Sequence, residues 1–140
     1  MDNDNTIIPY KGVNTLALKE SRHYYFKSFK NYTIEEFYKT PISKKTTLNI
    51  LEIGVFIYFD ENDLAEAIEF NNTLNLTFNE LELFKLEYSL LLNEFRELDN
   101  HLKNDEYGFT SIKFGIGAYI SDPNKSFVDS IIIFSKDYYN

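Results

Sequence analysis

His23 and His101 are the only two imidazoles in the chain, and there is no cysteine. Without thiols there is no disulfide framework, zinc–thiolate centre or cysteine nucleophile. The histidines form no His-x-x-x-His or related spacing, so no transition-metal site is expected. Both fall in expected helices; His101, four residues after Glu97, stands where a cation supports a helix C-terminus for local reasons. Asp60-Glu61-Asn62-Asp63 is rich in oxygen ligands but lacks the glycine and terminal glutamate of a calcium loop, and a solvated hairpin turn explains it better. Gly115-Ile116-Gly117 lacks the third glycine and following helix of a dinucleotide cradle. The sequence therefore predicts no metal, no cofactor and no enzymatic activity. Carboxylate catalysis at Asp60 or Glu69 would require a raised pKa in a pocket.

Binding is the better-supported chemistry. Fourteen basic against twenty-two acidic residues give a net charge of −8 and a pI of about 4.7. Such a field repels nucleic acid and anionic membranes and attracts a basic protein. Eleven Tyr and thirteen Phe among 140 residues are enough to serve both a core and a wet interface. Strand alternation sorts them. With Ile53, Val55, Ile57, Ile68 and Phe70 on an inner face, Phe56, Tyr58 and Glu69 fall outside. In the later hairpin Ile116, Ala118, Ile120, Ile131 and Ile133 fall inside, leaving Tyr119, Ile132 and Phe134 outside. That open face is too apolar to stay bare. Phe56, Tyr58, Asp60, Glu66, Glu69, Tyr119 and Asp129 are its candidate partner-binding residues, aromatic anchors ringed by carboxylates.

A hairpin that occurs twice must position them. The first copy runs from Ile53 to Phe59, turns at Asp60–Asp63 and returns over Leu64–Phe70. The second runs from Ile116 to Ile120, turns over Ser121–Lys125 and returns over Phe127–Phe134. An offset of 63 residues pairs Ile53 with Ile116, Gly54 with Gly117, Ile57 with Ile120, Ile68 with Ile131 and Tyr25 with Tyr88, the signature of a duplicated unit. Ser21 is an expected N-cap for a short helix carrying Tyr25, Phe26 and Phe29. Tyr32–Phe37 reads either as a strand or as a helical turn with a capping box at Thr33-Ile34-Glu35-Glu36. From Tyr88 onward, Leu91, Leu92, Phe95, Leu98 and Leu102 form one helical stripe, closed at Asn104-Asp105. Residues 1–6 offer little to bury and are expected to be loose. The expected fold is α+β: a two-layer sandwich in which two helix-plus-three-strand half-units, about 7–72 and 73–140, share one antiparallel sheet with both helices on one face. One domain, 1–140, fits this length. The acidic start Met1-Asp2-Asn3-Asp4-Asn5 carries no signal-like pattern, and a cytoplasmic location is expected.

Gly108-Phe109-Thr110-Ser111, Gly115-Ile116-Gly117-Ala118-Tyr119, Val128-Asp129-Ser130-Ile131 and the terminal Tyr138-Tyr139 resemble the C-terminal half of small bacterial immunity proteins of contact-dependent growth inhibition and related polymorphic toxin systems. Ile57-Tyr58-Phe59-Asp60-Glu61 and Glu66-Ala67-Ile68-Glu69-Phe70 are similar to their first half. The resemblance implies a cytoplasmic antidote that binds one toxin domain, commonly a basic nuclease, and blocks its active site without chemistry of its own. It implies no direct contact with nucleic acid or membrane. Around Tyr24–Thr40 the chain departs from the pattern. The doubled helix-plus-sheet plan is also similar in architecture to secreted β-lactamase inhibitor proteins. The alternative reading is a self-associating structural or interaction module with no toxin partner, a possible homodimer joined through the open face.

Overall fold

The computed structural model describes residues 5–139. The chain begins with a small hairpin, β1 (Gly12–Val13) and β2 (Leu16–Ala17), and then helix α1 (Arg22–Ser28). Ser21 caps α1 as expected, its hydroxyl accepting from the Tyr24 amide at 3.3 Å. Tyr25 is fully buried and Phe29 nearly so, whereas Phe26 faces out. Next come β3 (Ile34–Tyr38), β4 (Thr46–Ile50), a single 3-10 turn over Leu51–Ile53, β5 (Val55–Phe59) and β6 (Ala65–Phe70). A second hairpin, β7 (Thr77–Phe78) and β8 (Leu81–Glu82), leads to helix α2 (Tyr88–Leu98). The strands β9 (Lys103–Asp105), β10 (Gly108–Ser111), β11 (Ile116–Tyr119) and β12 (Ser130–Phe134) complete the chain.

Eight of these strands form one antiparallel sheet in the order β3-β4-β5-β6-β12-β11-β10-β9, so the fold is α+β, a large sheet with two helices. Three expectations need correction. The sheet has eight strands rather than six, because Ile34–Tyr38 is a strand and because Asn104-Asp105, expected to close α2, belongs to β9. The helix stops at Leu98, since the Asp99 carboxylate takes the His101 amide at 2.9 Å and the Ser111 hydroxyl at 2.8 Å; His101 therefore lies beyond the helix. The 63-residue offset also does not run unbroken through both hairpins. Ile57 pairs with Ile68, but Ile131 pairs with Ala118, two positions short of Ile120. Gly54 and Gly117 accordingly differ: Gly54 ends the 3-10 turn in the left-handed conformation (φ 63), while Gly117 lies inside β11.

The core lies on one face of the sheet. Leu48, Ile50, Val55, Ile57, Ile68, Phe70, Ile116, Ile131 and Ile133 are all buried there, in register across five strands. Tyr25 of α1 packs edge-on against Phe59 at 6.0 Å between ring centres, and Phe95 of α2 packs at a tilt against Phe109 at 4.8 Å. Leu91 and Phe95 form the buried stripe of α2, with Leu92, Leu98 and Leu102 half-buried beside them. Of the N-terminal stretch expected to be loose, residues 1–4 lie outside the described residues. Asn5 and Thr6 are held: the Asn5 carbonyl accepts from the Thr77 amide at 3.1 Å, and the Thr6 and Thr77 hydroxyls are 2.9 Å apart. No helix of the described residues is long and apolar enough to cross a membrane.

Candidate partner-binding face

Register places four of the seven sequence-nominated side chains, Phe56, Tyr58, Glu69 and Tyr119, on the face opposite the core. A continuous row of directly opposed residues runs Glu35, Asn49, Phe56, Glu69, Ile132, Gly117, Thr110 and Lys103 across all eight strands. A neighbouring row brings Ser130, Tyr119, Gly108 and Asp105 together on its second half. Phe56, Tyr58, Glu69 and Tyr119 thus share one face, as alternation requires. Phe56 meets Phe37 edge-on at 6.0 Å. The Tyr58 hydroxyl donates to Glu69 Oε1 at 2.5 Å, and the Lys39 ammonium lies 4.4 Å from the centre of the Tyr58 ring. Burial, with the hydrogen bond to Glu69 second, raises the Tyr58 phenol well above its ordinary range.

Glu66 reaches this surface by an irregularity that alternation does not reveal. Strict period two would place it with Ile68 and Phe70, toward the core. Tyr58 pairs with Ala67 but Phe59 pairs with Ala65, so Glu66 is the extra residue of a β-bulge and lines the surface cleft beside Tyr58. Burial, followed by the field of Asp60, raises its carboxyl, with Lys19 opposing and Asp137 adding to the shift.

Asp60 and Asp129 are committed to turns. Asp60 accepts the amides of Asn62 at 2.9 Å and Leu64 at 3.0 Å and pairs with Lys19 at 3.4 Å. Burial works against its ionisation, yet those amides and Lys19 outweigh it and hold the carboxyl below the ordinary range. Asp129, at the opposite end of the sheet, pairs with Lys125 and accepts the Ser121 amide at 2.6 Å. The Lys125 contact, then the Ser121 amide, lowers its carboxyl.

The face is partly covered by the chain itself. Phe134, expected on the open side, is buried: Tyr138 stacks on it at 5.7 Å, while Tyr139 at 5.0 Å and Tyr10 at 6.1 Å meet it edge-on. Two hollows remain. A cleft of about 870 Å³ lies between the β3–β4 loop and the C-terminal segment, lined by Lys39, Lys44 and Lys45 together with Tyr58, Asp60, Glu66, Asp137 and Tyr138. Ser135 also lines it, and its buried hydroxyl has no hydrogen-bond partner among the described residues. A shallower groove of about 450 Å³ runs over β12, β11, β10 and β9, with Glu69 at its inner end. Tyr58 and Glu69 therefore join the two hollows, and Asp129 lines neither. The lysine wall and the glycine-floored groove escaped the sequence reading. The adjacent lysines of Ser43-Lys44-Lys45 and the alternation of Gly108 and Thr110 were the available signals.

Among the described residues no group of three or more His, Cys, Asp or Glu side chains could hold a metal ion. No protein-family model matches the chain, and no curated protein or solved structure matches it.

Proposed function

We propose that this chain is an immunity protein of a contact-dependent growth inhibition or polymorphic toxin system. It acts in the cytoplasm, binds one cognate toxin domain, a basic nuclease, and neutralises it by blocking the active site. One observation carries this reading: Phe56, Tyr58, Ile132 and Tyr119 share with Glu69 a sheet face that the chain only partly covers, in a chain of net charge −8. Half-buried aromatic anchors beside a carboxylate are the composition of an interface centre, and an acidic surface steers a basic partner toward it. The order of motifs shared with immunity proteins points the same way. We further propose that the fold is a two-layer sandwich of two half-units, about 7–72 and 73–140. Its support is that α1 precedes β3 to β6 and α2 precedes β9 to β12, each set running from a sheet edge to the centre, where β6 meets β12.

Co-expression with the toxin domain encoded next to this chain tests the role. The wild type should restore growth, and the double substitution Glu66→Lys with Glu69→Lys should weaken binding by about tenfold or more while leaving a cooperative urea transition, so that the fold is intact. Failure of the wild type to restore growth would end the antidote reading.

A second reading, self-association, draws on one specific feature. Edge strand β3 is paired on one side only and exposes Phe37 and Tyr38, a template for strand addition that Glu35 and Glu36 only partly blunt. Sedimentation of the wild type and of Phe37→Lys separates the two: a dimer lost in the variant supports self-association, and a monomer in both supports the antidote.

A further inference from the structure

We infer that the groove over β12, β11, β10 and β9 receives an arginine side chain carried on a loop of the partner protein, with the guanidinium at Glu69. The inference rests on the antidote reading and names the chemistry by which that partner is gripped.

The groove exists because side chains are missing from its floor. Gly117 stands opposite Ile132, and Gly108 opposite Tyr119. A Cβ at Gly108 would lie 2.0 Å from the Ala118 carbonyl oxygen, so no larger residue fits there. The result is a trough with a backbone floor and Ile132 as its apolar bed. Tyr107 and Tyr119, each about half exposed, line it.

The inner end carries a carboxylate with no cation in direct contact. Glu69 accepts the Tyr58 hydroxyl through Oε1, and among the described residues no lysine or arginine lies within 4.0 Å of its carboxylate. Lys103 sits four strands away in the same row, about 19 Å at ordinary strand spacing, beyond a Debye length of about 8 Å. It cannot neutralise Glu69. The fixed Tyr58 contact holds the carboxylate in one orientation with Oε2 free. A planar guanidinium answers this arrangement better than an ammonium, because it pairs with the carboxylate while its flat face lies on a tyrosine ring. Its aliphatic stem suits the Ile132 bed.

Short blocked peptides bearing a central arginine, lysine or norleucine test this on the full chain by amide NMR titration. The arginine peptide should give saturable shifts at Gly117, Thr110 and Tyr119, about tenfold weaker for Glu69→Gln. Should Glu69→Gln disturb the spectrum as a whole, the surface change Tyr119→Leu, which removes a stacking ring, should weaken the response instead. Absence of these shifts, an equal response to norleucine or lysine, or a response untouched by both substitutions would overturn the assignment. Growth rescue without a peptide response would count against the groove alone, and a peptide response without rescue against the antidote role alone.

Discussion

The Tyr58 hydroxyl donates to Glu69 Oε1 at 2.5 Å, across neighbouring strands and between two hollows of the same sheet face. Tyr58 lies on β5 and Glu69 on β6, two positions from directly opposed, since Tyr58 pairs with Ala67. The contact is therefore diagonal, within reach of a long side chain. Replacing Tyr58 by Phe removes the donor and leaves the ring. We expect a loss of about 1 kcal/mol in urea unfolding, together with weaker partner binding because Glu69 is released from its fixed orientation.

Alkali should unfold the protein progressively. Burial raises the phenols of Tyr25 and Tyr58 above their ordinary value of 10.0. Unfolded tyrosine ionises near that value while the folded chain still holds the protons. The stabilisation is then complete below about pH 10 and is lost as the pH climbs toward the folded values. Urea midpoints measured on either side of pH 10 should fall on the alkaline side, and Tyr58→Phe should flatten the decline. A midpoint independent of pH in that range would contradict the burial assigned to these rings.

Two glycines 63 residues apart, Gly54 and Gly117, should respond differently to alanine. Gly54 holds φ 63, and a Cβ there would lie 2.2 Å from the Asn71 side-chain oxygen. Gly54→Ala should cost about 2–4 kcal/mol, from the left-handed conformation plus overpacking. At Gly117 the backbone is ordinary, and the Cβ would meet the Ile132 Cγ2 methyl at 2.8 Å. Gly117→Ala should cost about 1–2 kcal/mol. Denaturant titration of both variants checks the order, and it would also narrow the groove.

Arg22 should prove the least replaceable surface cation. Its guanidinium reaches Asp63 at 2.8 Å, Glu36 at 3.2 Å and the Thr46 carbonyl at 2.6 Å, and lies 4.2 Å from the centre of the Phe59 ring. One side chain thus ties α1 to β3, β4 and the β5–β6 turn. Arg22→Ala should cost about 2–3 kcal/mol, and Arg22→Lys should recover little of it, because an ammonium cannot reproduce the planar fork. Full recovery in the lysine variant would show that charge alone matters.

Local pattern was legible where burial and side-chain period agree. Alternation in β5, β6, β11 and β12 placed Phe56, Tyr58, Glu69, Tyr119 and Ile132 on one face, and the 3.6-residue stripe of Leu91 and Phe95 marked the second helix. These signals are intrinsic to the chain, because a half-buried strand or helix must repeat its apolar residues at the period of its backbone. Ser21 as an N-cap is legible for the same local reason.

Tertiary structure alone decided the rest. The bulge that turns Glu66 outward depends on how β5 meets β6, and the register slip between the hairpins depends on partner strands distant in sequence. Whether Tyr32–Phe37 became helix or strand was decided by pairing with β4, and the Thr33 amide, which Glu36 would take in a capping box, donates instead to Glu52 at 2.8 Å in the turn after β4. Phe134 is covered by Tyr10 from the far end of the chain. Asp60, read as part of a hairpin turn and as a partner contact, and Asp129, read as a partner contact, are both engaged by amides that the folded backbone brings close. Composition and period determine which side chains can share a face. Only long-range pairing determines which of them meet, which are covered, and where glycines leave a hollow, since each depends on contacts between segments far apart in the chain.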